Sequence, residues 1–160
     1  MSTEQYLTFF MSSEEYAVGI LRVREIIEYK ELTRIPGVPA HVRGVINLRG
    51  AVLPVVDLAA KFGADPSVPA RTTCIVVVET RLGDDLVVAG VMADAVSGVI
   101  DLAADQIEPP PSFGTGVRAD FLKGVGKLEG RLVLILDIDR VLSPVELQET
   151  VEAADLVAAE

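Results

Sequence analysis

Short apolar runs rich in β-branched residues, separated by turns that contain glycine, recur along the whole chain. This pattern predicts a set of short strands, at residues 6–11, 16–20, 32–35, 72–79 and 86–92. Residues 95–101 fit either a strand or a turn. Many short strands at regular spacing are typical of small barrels and sandwiches, so the sequence predicts an all-β fold.

A few stretches are predicted to be helical instead. Over residues 20–27 the apolar positions follow a helical period, which indicates a short amphipathic helix or an irregular turn. Asp57 and Asp137 each follow an apolar strand, and each is expected to cap a short helix. Residues 143–146, Ser-Pro-Val-Glu, form a capping box with proline at the first helical position, which predicts an acidic C-terminal helix or tail over residues 144–160.

Two longer segments, residues 44–58 and 124–138, each consist of two apolar runs joined by a tight turn. In the first, Gly50 accepts the positive φ that such turns require, and Arg49 is expected at the tip, facing solvent. An offset of 80 positions, half the chain, relates the two segments and indicates an internal duplication. At this offset Glu129 replaces Arg49, whereas five residues recur: Gly44, Val45, Leu48, Gly50 and Asp57 reappear as Gly124, Val125, Leu128, Gly130 and Asp137.

The duplication predicts two small barrels packed together in a single domain of 160 residues. Their approximate limits are residues 12–68 and 69–143, and the N-terminal strand at residues 5–11 is a candidate to be shared between them. A turn-rich linker at residues 63–69 separates the two copies. Pro54 lies inside the second strand of the first hairpin. Because proline donates no backbone hydrogen bond, this strand is expected to be an edge or to be bulged at that point.

Charge and composition exclude several classes of partner. The net charge of −10 would repel nucleic acid and anionic membranes. The segment from Arg22 to Arg49 is an exception, because it holds six bases against three acids. No apolar run reaches the roughly 18 residues that a membrane span requires, so no direct membrane insertion is expected, and the N-terminus shows no secretory signal. A single cysteine, Cys74, agrees with a cytoplasmic location.

The residues give little support to enzymatic chemistry. His41 has no serine or cysteine nucleophile motif near it, and one histidine with one cysteine is too few for a zinc site. The glycine-rich stretch at residues 114–119 follows three prolines rather than a strand, which argues against a dinucleotide-binding loop. Asp57 and Asp137 form a pseudo-symmetric carboxylate pair, but helix starts explain both better than a shared-proton dyad does. We therefore expect no enzyme, no cofactor and no metal.

The motif Gly44-Val-Ile-Asn-Leu-Arg-Gly50, followed by Pro54-Val-Val-Asp-Leu58, resembles the signature of the chemotaxis coupling protein (CheW) family. The resemblance covers nearly the whole chain and includes further segments, at residues 16–26, 34–36, 96–99, 106–107 and 122–125. It implies a fold of two five-stranded β-barrels of SH3 type. The chain length favours a free-standing adaptor over the longer relatives, the kinase CheA and the fused protein CheV.

This resemblance also implies a function and a site. The chain would be a non-enzymatic adaptor that couples the cytoplasmic hairpin tips of chemoreceptors to the histidine kinase CheA, in the cytoplasm at membrane-associated receptor arrays. We expect it to be a monomer when isolated. A groove between the lobes would take the receptor hairpin, and the residues implicated in partner binding are Val23, Glu25, Gly44, Asn47, Arg49 and Gly50.

Arg49 would be the charged anchor for a partner. Alternatively, it holds the hairpin by bonding Glu25 or a carbonyl within the protein. Two other functions stay open at the sequence level. One is an SH3-type adaptor outside chemotaxis that binds proline-rich peptides, although the chain has no tryptophan and only three tyrosines for an aromatic-lined groove. The other is a carboxylate-dependent enzyme based on Asp57 and Asp137.

Overall fold

The computed structural model describes residues 3–110 and 119–158, with side chains up to Asp155. Eleven strands make up most of this part of the chain: β1 Thr3–Met11, β2 Glu14–Gly19, β3 Val23–Glu28, β4 Val42–Leu48, β5 Ala51–Val56, β6 Cys74–Leu82, β7 Asp85–Ala93, β8 Ala95–Ala103, β9 Ile107–Glu108, β10 Leu122–Leu128 and β11 Arg131–Leu136. The helices are short except the last: α1 Leu58–Lys61, α2 Ile138–Val141 and α3 Pro144–Ala158. Single 3-10 turns cover Ile20–Arg22, Ala104–Gln106 and Ala119–Phe121. The predicted all-β fold with short helices and a C-terminal helix is confirmed.

The helical interpretation of residues 20–27 is wrong beyond its first turn. After the 3-10 turn at Ile20–Arg22, the chain extends as β3 and pairs antiparallel with β6. Burial along β3 alternates residue by residue, as it does in a strand with one covered face. The pairing with β6 satisfies the backbone of β3, and this tertiary ladder overrides a weak helical period. Residues 95–101, left undecided by the pattern, belong to strand β8.

The remaining boundaries shift by small amounts. The first turn is formed by Ser12 and Ser13, both at positive φ, so that Glu14 and Glu15 belong to β2 rather than to the turn. The expected strand at residues 32–35 contributes one bridge, between Thr33 and Val45. The proline-rich loop at residues 108–116 and the glycine-rich stretch at residues 114–119 fall largely outside the described residues.

The strands form two sheets that nearly close on themselves. One has the order β8-β1-β2-β11-β10-β9, and the other has the order β3-β6-β7-β5-β4. In the six-stranded sheet the chain leaves the edge strand β8 and reaches the opposite edge, β9, through one 3-10 turn. In the five-stranded sheet the segment after β3 reaches the opposite edge through the Thr33–Val45 bridge. This arrangement is consistent with two SH3-like barrels.

Each sheet takes strands from both halves of the chain. The N-terminal hairpin β1–β2 joins the C-terminal hairpin β10–β11, through a parallel pairing of β2 with β11. The hairpin β4–β5 joins β6–β7, through a parallel pairing of β5 with β7. The sheets therefore do not coincide with the expected lobes at residues 12–68 and 69–143. Strands β1 and β2 both lie in the six-stranded sheet, which also contains the second duplicated hairpin, β10–β11. The N-terminal segment that joins the other half of the chain is therefore longer than the expected residues 5–11.

The hydrophobic core has a layer between the sheets and a separate centre inside each sheet. The central layer contains Phe9, Val76, Val91 and Leu136, all almost fully buried. Smaller clusters occupy the interior of the five-stranded sheet, around Ile75 and Met92, and of the six-stranded sheet, around Leu102 and Ile135. Alternate residues of a strand face these different layers, so four consecutive residues of β6, Ile75 to Val78, are apolar and buried.

Pro54 lies in an inner strand rather than at an edge. In the five-stranded sheet, β5 lies between β7 and β4. Pro54 pairs with Val45 of β4, whereas the pairing with β7 runs through Val55 and Val56. Pro54 therefore immediately precedes the two residues of β5 that pair with β7. The expectation of an edge is right for this single position and wrong for the strand.

Asp57 and Asp137 occupy equivalent positions but behave differently. Both are the N-cap residues of short helices, α1 and α2. The Asp57 carboxylate accepts a hydrogen bond from the Ala60 amide at 3.4 Å. The Asp137 side chain makes no such capping bond within the described residues and lies 3.7 Å from Arg140 instead. Side-chain capping therefore explains the first aspartate only.

Helix α3 begins as predicted and packs its apolar side against the protein. The Ser143 hydroxyl accepts a hydrogen bond from the Glu146 amide at 3.3 Å, which is one half of the capping box. Leu147 is buried in the central core, and Ala154 packs against Ile35 and Val45 near the end of the helix. The helix therefore covers one outer surface of the five-stranded sheet.

Candidate partner-binding site

The first duplicated hairpin holds Arg49 at its tip in an uncommon backbone conformation. Leu48 pairs with Ala51, which leaves Arg49 and Gly50 as a two-residue turn. Both turn residues have positive φ, 51° and 87°, as in a type I′ turn. Positive φ is uncommon for a residue with a Cβ. The Asn47 side chain accepts a hydrogen bond from the Gly50 amide at 2.9 Å and so holds the turn closed.

The Arg49 guanidinium, at the turn between β4 and β5, contacts the Glu25 carboxylate. Glu25 lies on β3, and the two residues are 24 positions apart in sequence. The Arg49 side chain remains 70% exposed and the Glu25 side chain 31% exposed. An ion pair this exposed contributes only about 0–1 kcal/mol to stability. The contact therefore orients the arginine while leaving it available to a partner.

The second duplicated hairpin has the same register but a different tip. Leu128 pairs with Arg131, which places Glu129 and Gly130 in its turn. Gly130 has a φ of 80°, while Glu129 is not among the described non-glycine residues at positive φ. The two tips therefore differ in backbone geometry as well as in charge. Only the first combines a cation with the left-handed conformation.

Strand β3 forms the edge of the sheet beside the Arg49 tip. Val23 at its start packs partly into the central core, and Glu25 follows one pleat later. Two apolar residues near them face solvent, namely Leu21, 90% exposed, and Ile26, 42% exposed. Sequence reasoning missed both, because the helical interpretation of this segment placed Ile26 on the buried face. Leu21 precedes β3, in the 3-10 turn, and Ile26 lies on the face of β3 opposite to Glu25.

A bidentate ion pair fixes the start of β3. The Arg22 guanidinium donates to both carboxylate oxygens of Asp139, at 2.9 and 2.6 Å. The buried Thr80 hydroxyl donates to the same carboxylate at 2.8 Å. Partial burial alone would raise the pKa of Asp139, but the hydrogen bonds from Thr80 and Arg22 and the charge of Arg22 outweigh it and lower the pKa. The start of β3 is thereby tied to α2.

Gly44 lies at a close approach between backbone segments. A Cβ built on Gly44 would lie 2.5 Å from the Thr33 carbonyl oxygen, and the residue has a φ of 152°. Its duplicate, Gly124, shows the same crowding, because a Cβ there would lie 2.7 Å from the Glu108 carbonyl oxygen. In both sheets the glycine lets the chain from the opposite edge come close to the hairpin. Gly44 thus has a structural role that its duplicate shares.

The residues considered for catalysis are held in structural interactions. Asp57 is fully buried and accepts hydrogen bonds from Arg43 at 2.9 Å and from the Ser67 amide and hydroxyl at 2.8 and 3.0 Å. His41 lies 3.4 Å from the carboxylate of Glu146. Cys74 is partly buried, and its thiol donates to a backbone carbonyl. The described residues contain no cluster of three or more potential metal ligands.

Comparison with known proteins decides the family. A model of the CheW-like domain matches residues 5–146. This chain belongs to the CheW-like family. A chemotaxis protein CheW of Klebsiella aerogenes is 38% identical over 144 residues, covering 90% of this chain and 84% of that relative. A chemotaxis protein CheW of Rhizobium meliloti is 35% identical over 137 residues, covering 86% of each chain.

A solved structure supports the same conclusion for the fold. The crystal structure of the scaffolding protein TtCheW from Thermoanaerobacter tengcongensis superposes with a TM-score of 0.79 at 31% identity, covering 89% of this chain and 90% of that one. The CheW-like chain is thus a chemotaxis adaptor. Proteins of this family are scaffolds rather than enzymes, so the carboxylate-enzyme alternative is rejected. Among the described residues, no helix has the length and apolarity to cross a membrane.

Proposed function

We propose that this CheW-like chain joins the cytoplasmic tips of chemoreceptors to the regulatory domain of the histidine kinase CheA, in the cytoplasm at membrane-associated receptor arrays. The observation that supports a binding surface is the Arg49 tip. Of two duplicated hairpins, one presents a cation in a left-handed turn beside an edge strand, at a hollow with apolar walls. This combination suits a protein partner that offers both a carboxylate and apolar side chains.

Within the proposed site the residues have different tasks. Arg49 is the charged anchor, and Glu25 orients it from β3. Val23 fixes the start of that strand, and Gly44, Asn47 and Gly50 act indirectly by keeping the hairpin in shape. Leu48, Val77 and Val88, which line a hollow together with Glu25 and Arg49, supply the apolar contact area beside the anchor.

Substitution of Arg49 by alanine tests the anchor. We expect Arg49→Ala to weaken partner binding by about 1.5–3 kcal/mol, the range for hydrogen bonds to charged groups. Thermal unfolding should change little, because an exposed ion pair contributes about 0–1 kcal/mol to stability. Titration calorimetry with a receptor cytoplasmic fragment and with the CheA regulatory domain measures the first quantity. Glu129→Ala, at the equivalent tip of the second hairpin, is the matched control and should leave binding unchanged.

A double-mutant cycle with Glu25 separates the two roles considered for Arg49. If Arg49 acts only by holding the hairpin through Glu25, then Glu25→Ala and Arg49→Ala will have equal effects and the double variant will add nothing. If Arg49 contacts the partner, Arg49→Ala will cost more binding than Glu25→Ala. A large loss of stability with binding unchanged per folded molecule would favour the structural role.

Co-purification tests the adaptor function as a whole. The chain is mixed with a CheA regulatory domain, with and without a receptor cytoplasmic fragment, and complexes are separated by size-exclusion chromatography. Absence of a complex in both mixtures would contradict the proposal.

The SH3-type peptide adaptor receives no support from the geometry. Such adaptors need exposed aromatic rings to line a proline-binding groove. The chain has three tyrosines, of which Tyr6 and Tyr16 are buried and Tyr29 packs against the core of the five-stranded sheet.

A further inference from the structure

The two duplicated hairpins present equivalent surfaces, and only one of these is covered by another described part of the chain. In the hairpin β4–β5, Asn47 pairs with Val52, and in the hairpin β10–β11, Lys127 pairs with Leu132 in the same register. Leu132 therefore occupies the position of Val52 in the other sheet. The parallel neighbours also correspond, since β5 pairs with β7 and β11 pairs with β2.

The chain's own C-terminal helix covers the first of these surfaces. Val52 packs with Ile35 and Val45 against Ala153 and Ala154 of α3. The described part of the chain has only one such helix, because α3 follows the second copy and crosses to the sheet that contains the first hairpin. Its counterpart Leu132 is 60% exposed. The covered surface, around Val52, therefore shows that a helix fits this face of the hairpin.

The uncovered surface is a hollow with apolar walls and acidic groups. We refer to it as the open hollow, and it is lined by Phe10, Glu14, Glu15, Arg131, Leu132 and Leu134. The Glu15 side chain is only 7% exposed, and its Oε1 lies 3.2 Å from the Arg131 guanidinium. Its other oxygen, Oε2, is buried without a hydrogen-bond partner in the described part of the chain. A buried acceptor without a donor is unfavourable, and a donor from a partner would relieve it.

Charge indicates which kind of helix fits the open hollow. Two carboxylates, Glu14 and Glu15, face one base, Arg131. Helix α3 itself is unsuitable, because its polar positions carry acids and no base over residues 144–155. We propose that the open hollow binds an amphipathic helix of another protein, which lays an apolar stripe on Leu132 and Phe10 and directs a lysine or arginine toward Glu15. The Arg131 side chain, half exposed, shifts to admit this donor.

This surface does not depend on the proposed Arg49 site. The open hollow lies on the six-stranded sheet, whereas the Arg49 tip belongs to the five-stranded sheet. Arg49→Ala should therefore leave binding at the open hollow unchanged. Failure of one proposal would leave the other standing.

A synthetic peptide provides the test. The probe is the α3 sequence, residues 144–158, with four substitutions, Glu146→Lys, Glu149→Lys, Glu152→Lys and Asp155→Lys. It is titrated into the isotopically labelled full chain and followed by NMR. We expect saturable shifts at β2 and β11, centred on Glu15 and Leu132. Leu132→Asp should weaken binding at least about tenfold, which corresponds to about 1.4 kcal/mol, and Glu15→Gln should weaken it severalfold.

Controls separate the specific site from general attraction to an acidic protein. Leu86→Asp changes an exposed apolar residue of the other sheet and should leave binding unchanged. A scrambled peptide of the same composition, without an apolar stripe, should not give saturable shifts at the open hollow. The unsubstituted acidic peptide should also fail to bind there.

Several results would overturn the proposal. The first is that the lysine peptide does not bind, or that its shifts are centred away from Glu15 and Leu132. The second is that the scrambled or the acidic peptide binds as tightly as the lysine peptide. The third is that the Leu132→Asp variant binds the lysine peptide with unchanged affinity. Unchanged thermal unfolding of Leu132→Asp confirms that its effect is local. Loss of wild-type dimers on this substitution, seen by sedimentation, would instead assign the face to a second copy of the chain.

Discussion

At the scale of single residues, the duplicated segments separate structural positions from displayed ones. Gly44 and Gly124 recur because a Cβ at either would collide with a backbone carbonyl of the neighbouring segment, Thr33 or Glu108. Arg49 does not recur, and its side chain is 70% exposed. The family resemblance grouped Gly44 with Arg49 as binding residues, whereas the fold also gives Gly44 a close approach to the Thr33 carbonyl. Carbonyl crowding of this kind is invisible in sequence, because Thr33 contacts Gly44 only in the folded chain.

Substitution of Gly44 should act through stability. We expect Gly44→Ala to reduce the free energy of unfolding by at least about 1–3 kcal/mol, because the added methyl group has no space and the backbone angle disfavours it. Gly124→Ala should cost a similar amount for its contact alone. Denaturant unfolding measures both. Gly19→Ala is the control, since a Cβ there meets no described atom within 4 Å. Normal stability of Gly44→Ala with lost partner binding would instead support a direct binding role.

At the scale of elements, the two duplicated hairpins were predicted well, and strand β3, which precedes both, was not. Both hairpins follow from apolar runs around a glycine turn, since strands joined by two residues have little choice of partner. The apolar period of residues 20–27 favours a short helix or an irregular turn, but β3 is extended. Its hydrogen-bonding partner β6 lies about fifty residues away in sequence, so the local period carries no sign of that pairing. The short helices show the same limit. Asp57 and Asp137 look alike in sequence, but only Asp57 is buried with an arginine and a serine around it.

Removal of the two aspartates should therefore have unequal effects. We expect Asp57→Ala to destabilise the protein by about 3–5 kcal/mol, because it leaves Arg43 without its buried partner and frees the linker at Ser67. Asp137→Ala should cost less than about 1 kcal/mol, because its contact with Arg140 is long and partly exposed. Thermal and urea unfolding of the two variants make the comparison. Equal losses would contradict the structural difference between the two caps.

At the scale of the whole molecule, the two halves of the chain exchange strands. The hairpin β1–β2 completes the sheet of the second copy, and β6–β7 complete the sheet of the first. The duplication in sequence is therefore not a division into independent lobes. A central core layer shared by both sheets joins them into one unit.

Cutting the chain in the linker tests this exchange. Residues 1–68 contain two hairpins and β3, all without the strands of residues 69–160 that they pair with, and isolated hairpins are marginal in water. We expect residues 1–68 and 69–160, expressed separately, to show no cooperative thermal unfolding, and their equimolar mixture to regain it together with the strand signal in circular dichroism. The control is the full chain, which is folded first and then cleaved at a protease site inserted near Pro66. Cooperative unfolding of either half alone would contradict strand exchange as the basis of stability.

The sequence by itself determined the strand-rich class, the two hairpins with their glycine turns, the duplication and the family. These features depend on residues that are close together in the chain, where turn chemistry and apolar alternation decide the structure. Tertiary structure alone decided which hairpins share a sheet, the extended form of β3, the contact between Arg49 and Glu25, and the exposure of Leu132 beside a covered Val52. Each of these depends on segments distant in sequence, whose pairing is selected by the burial of whole faces and the closure of each sheet.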